Sequence, residues 1–151
     1  MALKWSDVDF ENNSITIQRR VKDSVIKERT KTELKRTIEM LNPVKDILLW
    51  HNQNCLSDIW IFPSKRLTPY SNSRVIVDNN FKPLLNRIGI RYRTLYSTRH
   101  TFMTMMINNG MNMKWIQEMS GIKTISVLLG NYARFQKLNV EKLEIANNLI
   151  A

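Results

Sequence analysis

The chain has 151 residues, 43% of them hydrophobic, and its 23 Lys+Arg against 13 Asp+Glu give a net charge of +10. That length suits one domain with a real core and excludes two ordinary ones. The charge favours a polyanionic partner, and apolar runs of no more than about four residues, with no basic amphipathic stretch, point away from a membrane and towards nucleic acid.

The opening MALKWSDVDF turns acidic within seven residues and does not resemble a signal peptide. The single cysteine, Cys55, excludes an internal disulfide, and His51 and His100, without partner cysteines, leave no zinc pattern. The setting expected from composition is a soluble, intracellular, basic domain with no metal and no cofactor.

In chain order, NNSITIQRRV alternates Ile15 and Ile17 with polar neighbours after an Asn-Asn turn signal, and LKRTIEML repeats the pattern after KDSVIKERTKTE. These predict a small antiparallel sheet of two or three strands. NPVKDILLWHNQ places a proline at a helix start, with Val44, Ile47, Leu48 and Trp50 spaced for one apolar face. IWIF reads as a short buried strand or turn, and PSKRLTPYSNS, with two prolines, as the main internal loop. Helices are expected over 74–88, 98–109, 112–119 and 122–132, followed by VEKLEIANNLI as a last helix. Sheet first and helices afterwards is an α+β order.

The stretch LYSTRHTFMTMMINNG sets Arg99 and His100 at the start of an otherwise apolar helix, with Phe102, Met103, Met106 and Ile107 forming the stripe. A cation in the first turn opposes the helix macrodipole and costs a few tenths of a kcal/mol or more, so something should compensate. Two readings are open. Arg99 pairs with a local carboxylate, or Arg99 and the backbone N–H groups of the helix start meet a phosphate. Met103, Met105, Met106, Met111 and Met113 read as adaptable core filling.

The run from Tyr96 to Phe135 resembles the C-terminal half of a tyrosine recombinase (phage integrase) catalytic domain. That family carries His-x-x-Arg-His-Thr-Phe, a loop glycine, a Leu/Met-Gly-His segment and a nucleophilic tyrosine. Those slots here hold YSTRHTF, Gly110, Ser120-Gly121-Ile122 and Tyr132. ALKWSDVDFENNSITIQ is similar to the family's first-strand signature, and RTKTELKRTIEM to its Lys-Thr hairpin. The resemblance covers residues 2–135 and implies a mainly helical catalytic core with a small N-terminal antiparallel sheet, within a partial catalytic domain spanning 1–151: sheet about 8–40, helical part about 43–134, C-terminal helix about 139–150.

The resemblance also implies a chemistry: a tyrosine hydroxyl attacks a DNA phosphodiester, giving a 3′-phosphotyrosyl link and a free 5′-hydroxyl. A phenol with a pKa of about 10 is a poor nucleophile at neutral pH, so cations must stabilise the phosphorane and an acid must protonate the leaving oxygen. By motif, Tyr132 is the nucleophile, Arg99 grips a non-bridging oxygen, and Lys31 is the general acid. The hydroxyl of Tyr96 is left to contact the phosphate, and Lys123 joins Arg99 and Lys31 as a DNA contact. Taken alone, Tyr132 reads better as a residue packing its ring against the last helix, a reading that the spacing from Arg99 reverses, and Lys22, Lys27 or Lys35 compete with Lys31. His100 reads as a buried, hydrogen-bonded histidine.

Three positions depart from the family pattern. An arginine expected just before the ALKW equivalent has no counterpart in the chain, Tyr96 replaces a histidine, and Ile122 stands where a His or Trp donor belongs. The expectation is therefore a fragment of a site-specific recombinase, poorly active alone, that binds double-stranded DNA and self-associates through its C-terminal helix. Its expected location is the cytoplasm of a bacterial host, on the nucleoid when bound. Competing readings are a catalytically degenerate DNA-binding module with the same fold and a basic protein-interaction domain.

Overall fold

The computed structural model describes residues 2–22, 25–27, 35–70 and 72–132. Lys31 and the expected helix at 139–150 lie outside the described residues. The chain forms two compact units, Met1–Arg93 and Thr94–Ala151.

The first unit is built on a three-stranded antiparallel sheet in the order β1 (Val8–Asp9), β2 (Ser14–Ile17), β5 (Arg36–Glu39). Register places Val8 opposite Ile15 and Ile15 opposite Ile38, so one face is apolar. On the other face the hydroxyls of Thr16 and Thr37 lie 3.2 Å apart. The alternation seen in the sequence is thus the alternation of the sheet's two faces. A separate ribbon pairs β3 (Arg20–Lys22) with β4 (Val25–Lys27).

Ile15, Met40, Leu48 and Ile61 form the core of this unit, with Leu3, Trp5, Val8, Phe10 and Ile38 against it. The IWIF segment is a bridge rather than a strand: Lys4 pairs with Trp60, Trp5 N–H donates to Ile59 O and Ile61 N–H to Leu3 O. Ile61 is fully buried, whereas Ile59 and Phe62 are exposed. The short helical turn Trp5–Asp7 is locked by Asp7, which accepts from Lys4 N–H, Gln18 Nε2 and Arg19 Nη1.

Helix α1 (Asn42–Asn54) has Pro43 in its first turn, where the missing N–H costs nothing. Its expected apolar face is only partly used. Leu48 is buried, but Ile47 is 66% and Trp50 65% exposed, and Val44 is also exposed. Four apolar residues at helical spacing identify a face without identifying a partner for it.

The helix expected over 74–88 is interrupted. It runs as α2 (Ser73–Ile76), a π turn (Val77–Phe81) and α3 (Lys82–Arg87). Pro83 has no N–H to offer the carbonyl one turn earlier and its ring crowds that position, and the turn just before it widens, Lys82 N–H reaching Val77 O.

The second unit consists of α4 (Ser97–Asn108), α5 (Met113–Ser120) and α6 (Ile125–Tyr132) around Met103, Ile107, Ile116 and Leu128. Helix α4 ends in a Schellman turn at Gly110 (φ 71°), with Met111 N–H donating to Met106 O and Gly110 N–H to Ile107 O. Asn112 caps α5 by accepting from Lys114 and Trp115 N–H. Helix α6 starts at Ile125, not 122, because left-handed Gly121 (φ 68°) ends α5 and Thr124 Oγ1 accepts from Val127 N–H.

Of the five methionines expected in the core, Met103 is buried and Met106 and Met113 pack against the cluster. Met105 and Met111 are exposed, a correction that follows from helix phase for Met105 and from the Schellman turn for Met111.

Candidate active site

Residues 94–100 build the centre of the candidate site. A tight turn precedes α4: Ser97 N–H donates to Thr94 O, Thr98 N–H to Leu95 O and Arg99 N–H to Tyr96 O. The first amides of the helix are therefore already engaged, and the expectation that they would meet a phosphate alongside Arg99 is corrected. What remains for an anion is the side chain.

Arg99 lies in the first turn of α4, half-buried, with its guanidinium carbon 5.7 Å from the centre of the Tyr96 ring. Its Nε is buried and has no hydrogen-bond partner. Among the described residues no carboxylate pairs with it, so the local ion pair that the sequence left open is not formed. Leaving a buried donor without an acceptor costs about 1–3 kcal/mol. An anion brought to this guanidinium would recover that cost.

Tyr96 is 59% exposed, and its ring meets His100 edge-on at 4.9 Å. His100 is exposed, not buried as expected, because a residue four after Tyr96 shares its solvent-facing side of the helix. The rings of Tyr96 and His100 and the guanidinium of Arg99 thus share one end of α4.

Ile122 is half-buried and packs against the Met103 cluster. It supplies no donor, and its side chain is committed to the core. Lys123 is exposed, its carbonyl held by Gln117 Nε2 at 2.8 Å. Tyr132 is the last residue of α6. The structure thus puts Tyr96, Arg99, Lys123 and Tyr132 in the second unit, on α4, α6 or the turns beside them. Among the described residues no group of three or more His, Cys, Asp or Glu is placed to hold a metal, and no helix is long and apolar enough to cross a membrane.

One residue went unnoticed in the sequence. Among the described residues, two buried side-chain polar atoms lack a partner, Arg99 Nε and Arg20 Nε. The only trace of Arg20 in the sequence is the doublet Arg19-Arg20, and nothing in it separates the two; Arg19 forms a buried pair with Asp7.

The chain matches the Phage integrase family profile over residues 1–138. It belongs to the phage integrase family. It is similar to a tyrosine recombinase XerC-like protein of Caldanaerobacter subterraneus subsp. tengcongensis, 24% identical over 177 residues that cover 99% of this chain and 45% of that protein. Among solved structures it resembles the Tn1549 transposon integrase in complex with a circular intermediate DNA, with a TM-score of 0.73, 21% identity, and coverage of 99% of this chain and 52% of that one. XerA recombinase matches with a TM-score of 0.66 and 22% identity over 98% of this chain and 49% of that one. The fold is that of tyrosine recombinases, α+β with small antiparallel sheets and a helical remainder. This integrase-family chain spans about half the length of these relatives.

Proposed function

We propose that this chain is the catalytic part of a site-specific DNA recombinase that cleaves and rejoins double-stranded DNA through a 3′-phosphotyrosyl intermediate. In this reading Tyr132 attacks the phosphodiester, Arg99 holds a non-bridging oxygen, Lys31 protonates the leaving 5′ oxygen, and the Tyr96 hydroxyl and Lys123 contact the phosphate and the backbone beside it. The protein acts on DNA in the cytoplasm, bound to the nucleoid, and associates with further copies through its C-terminal helix. The Tn1549 integrase relative is itself described in complex with DNA.

The observation that carries the reading is the side chain of Arg99: a half-buried guanidinium, stacked on Tyr96, whose Nε is desolvated without an acceptor. A planar fork in that state suits a tetrahedral or pentavalent phosphate better than a point charge does. The test is a nicked suicide duplex carrying the element's own end sequence. A covalent protein–DNA adduct that resists denaturant and disappears in Tyr132→Phe is the expected result. An adduct that survives Tyr132→Phe overturns the nucleophile.

A second reading is favoured by Ile122. An isoleucine has no donor to give the phosphate cradle that the resemblance implies, and this one packs against the Met103 cluster; loss of one such donor typically lowers rate by about 10²–10³. On that reading the chain binds DNA and leaves it uncut. Salt-dependent duplex binding with no adduct on the suicide substrate would select it.

A further inference from the structure

We propose that Arg20 and Lys27, facing each other across the β3–β4 ribbon of the first unit, form a phosphate clamp that holds one DNA backbone phosphate. The inference rests on the DNA-binding reading above.

Register places Arg20 directly opposite Lys27. Residues directly opposite in an antiparallel pair have Cβ atoms about 4.5–5.5 Å apart, and like charges there are destabilising. Among the described residues neither side chain has a carboxylate partner. Among the described residues the ribbon therefore keeps two cations on one face without a paired carboxylate. The adjacent Arg19 shows the alternative: it is matched to Asp7 at 2.6 Å and serves the core of the first unit.

Arg20 carries the second mark. Its Nε is buried with no acceptor, a state shared among the described residues only with Arg99 Nε. Water has already been removed from this donor in the free protein, so that part of the cost of binding is met before a ligand arrives. A modest turn of the guanidinium brings Nε to an anion, and exposed Lys27 marks the side from which the anion comes. One phosphate between the pair satisfies the donor and removes the repulsion together.

The shape of the element selects the partner. A two-stranded ribbon is of a size to enter a DNA groove, with the duplex backbone along its flank. Val25, exposed on the same face of the ribbon as Lys27, adds apolar contact to sugar or base edges.

The experiment titrates a fluorescein-labelled random-sequence duplex with the 151-residue chain at several salt concentrations. Arg20→Gln and Lys27→Gln should each weaken binding by about tenfold at low salt and each make the slope of log K against log salt shallower by about 0.9, the value for one phosphate. Because the phosphate is held only while both cations are present, the double variant should lose no more slope than either single one. Arg20→Lys should restore the slope. A double variant that loses twice the slope, or single variants indistinguishable from the parent chain, overturns the clamp while leaving the DNA-binding reading in place. A parent chain that shows no salt-dependent binding removes both.

A direct readout covers the case in which Arg20→Gln does not fold. In the parent chain the Arg20 Nε–H resonance should move on addition of duplex and stay put on addition of equimolar inorganic phosphate, which lacks the groove contacts. A resonance unmoved by duplex overturns the proposal, and one that moves equally with both shows an anion site without selectivity for DNA and overturns it as well.

Discussion

Arg99 and Tyr96 lie three residues apart across the start of α4, the guanidinium carbon 5.7 Å from the ring centre. The contact fixes the arginine without using its hydrogen-bond donors, which leaves the fork available to a phosphate. If the fork is what the reaction uses, charge alone should not suffice. Arg99→Lys should lower the rate of adduct formation on the suicide duplex by about 10²–10³ with duplex affinity little changed. Tyr96→Phe keeps the ring and removes the hydroxyl. A loss of rate in Tyr96→Phe assigns the hydroxyl to the phosphate, whereas an unchanged rate leaves Tyr96 as the surface on which Arg99 rests. Single-turnover measurements separate these outcomes.

The Asp7–Arg19 pair makes a different prediction. Burial by itself raises the Asp7 carboxyl, but hydrogen bonds from Lys4 N–H, Gln18 and Arg19, with the Arg19 charge, outweigh it and hold the group below its ordinary value of 3.8. A carboxyl depressed in the folded state stabilises the fold fully above the unfolded value and loses that contribution as pH falls through the folded one. Asp7→Asn should cost about 3 kcal/mol at neutral pH, because the carboxylate of the buried pair with Arg19 is removed. The variant's urea midpoint should also fall less than the parent's between about pH 5 and pH 2. Parallel decline of the two curves in acid would show that Asp7 is not the group responsible.

Much of this architecture is legible in the sequence. Ile15 and Ile38 announce the apolar face of the sheet by alternation, and Arg99 stands out because a cation at a helix start is unfavourable. What was not readable depended on partners distant in sequence or on helix phase. Trp50 and Ile47 carry the same apolar signal as Leu48, yet only Leu48 meets the core. Pro83 forecasts a disturbance but not a π turn. The amides of Ser97, Thr98 and Arg99 are taken by the preceding turn, a choice made by backbone geometry with no residue signature. Arg20 and Arg19 are identical in type and adjacent, and only the position of Asp7 distinguishes them.

Helix phase can be checked with two methionines on α4. Met103 is fully buried among Ile107, Ile116 and Leu128, whereas Met105 is 50% exposed. Met103→Ala should destabilise by about 2–5 kcal/mol through lost burial and the cavity left behind. Met105→Ala should stay within about 0.5 kcal/mol of the parent. Chemical denaturation distinguishes them. Comparable losses at the two sites would mean that α4 is rotated from the orientation described.

Ile122 offers the sharpest separation of packing from chemistry. It follows left-handed Gly121 and presses on the Met103 cluster, at the position where the motif resemblance implies a donor. A residue held there for packing should matter to stability and not to the chemical step. Ile122→Ala should cost about 2 kcal/mol, at the low end for an isoleucine because the side chain is only half-buried. Its rate of adduct formation per folded molecule should match the parent's. Ile122→His puts a donor into the same place at a similar cost in stability, since its polar ring replaces apolar contact. If the position faces the phosphate, that variant should cleave faster than the parent by up to about 10²–10³, the value of one transition-state donor. A histidine that lowers stability and leaves the rate unchanged would show that α5 and the turn after it direct position 122 only into the core, and the missing donor would then have to come from elsewhere on the protein.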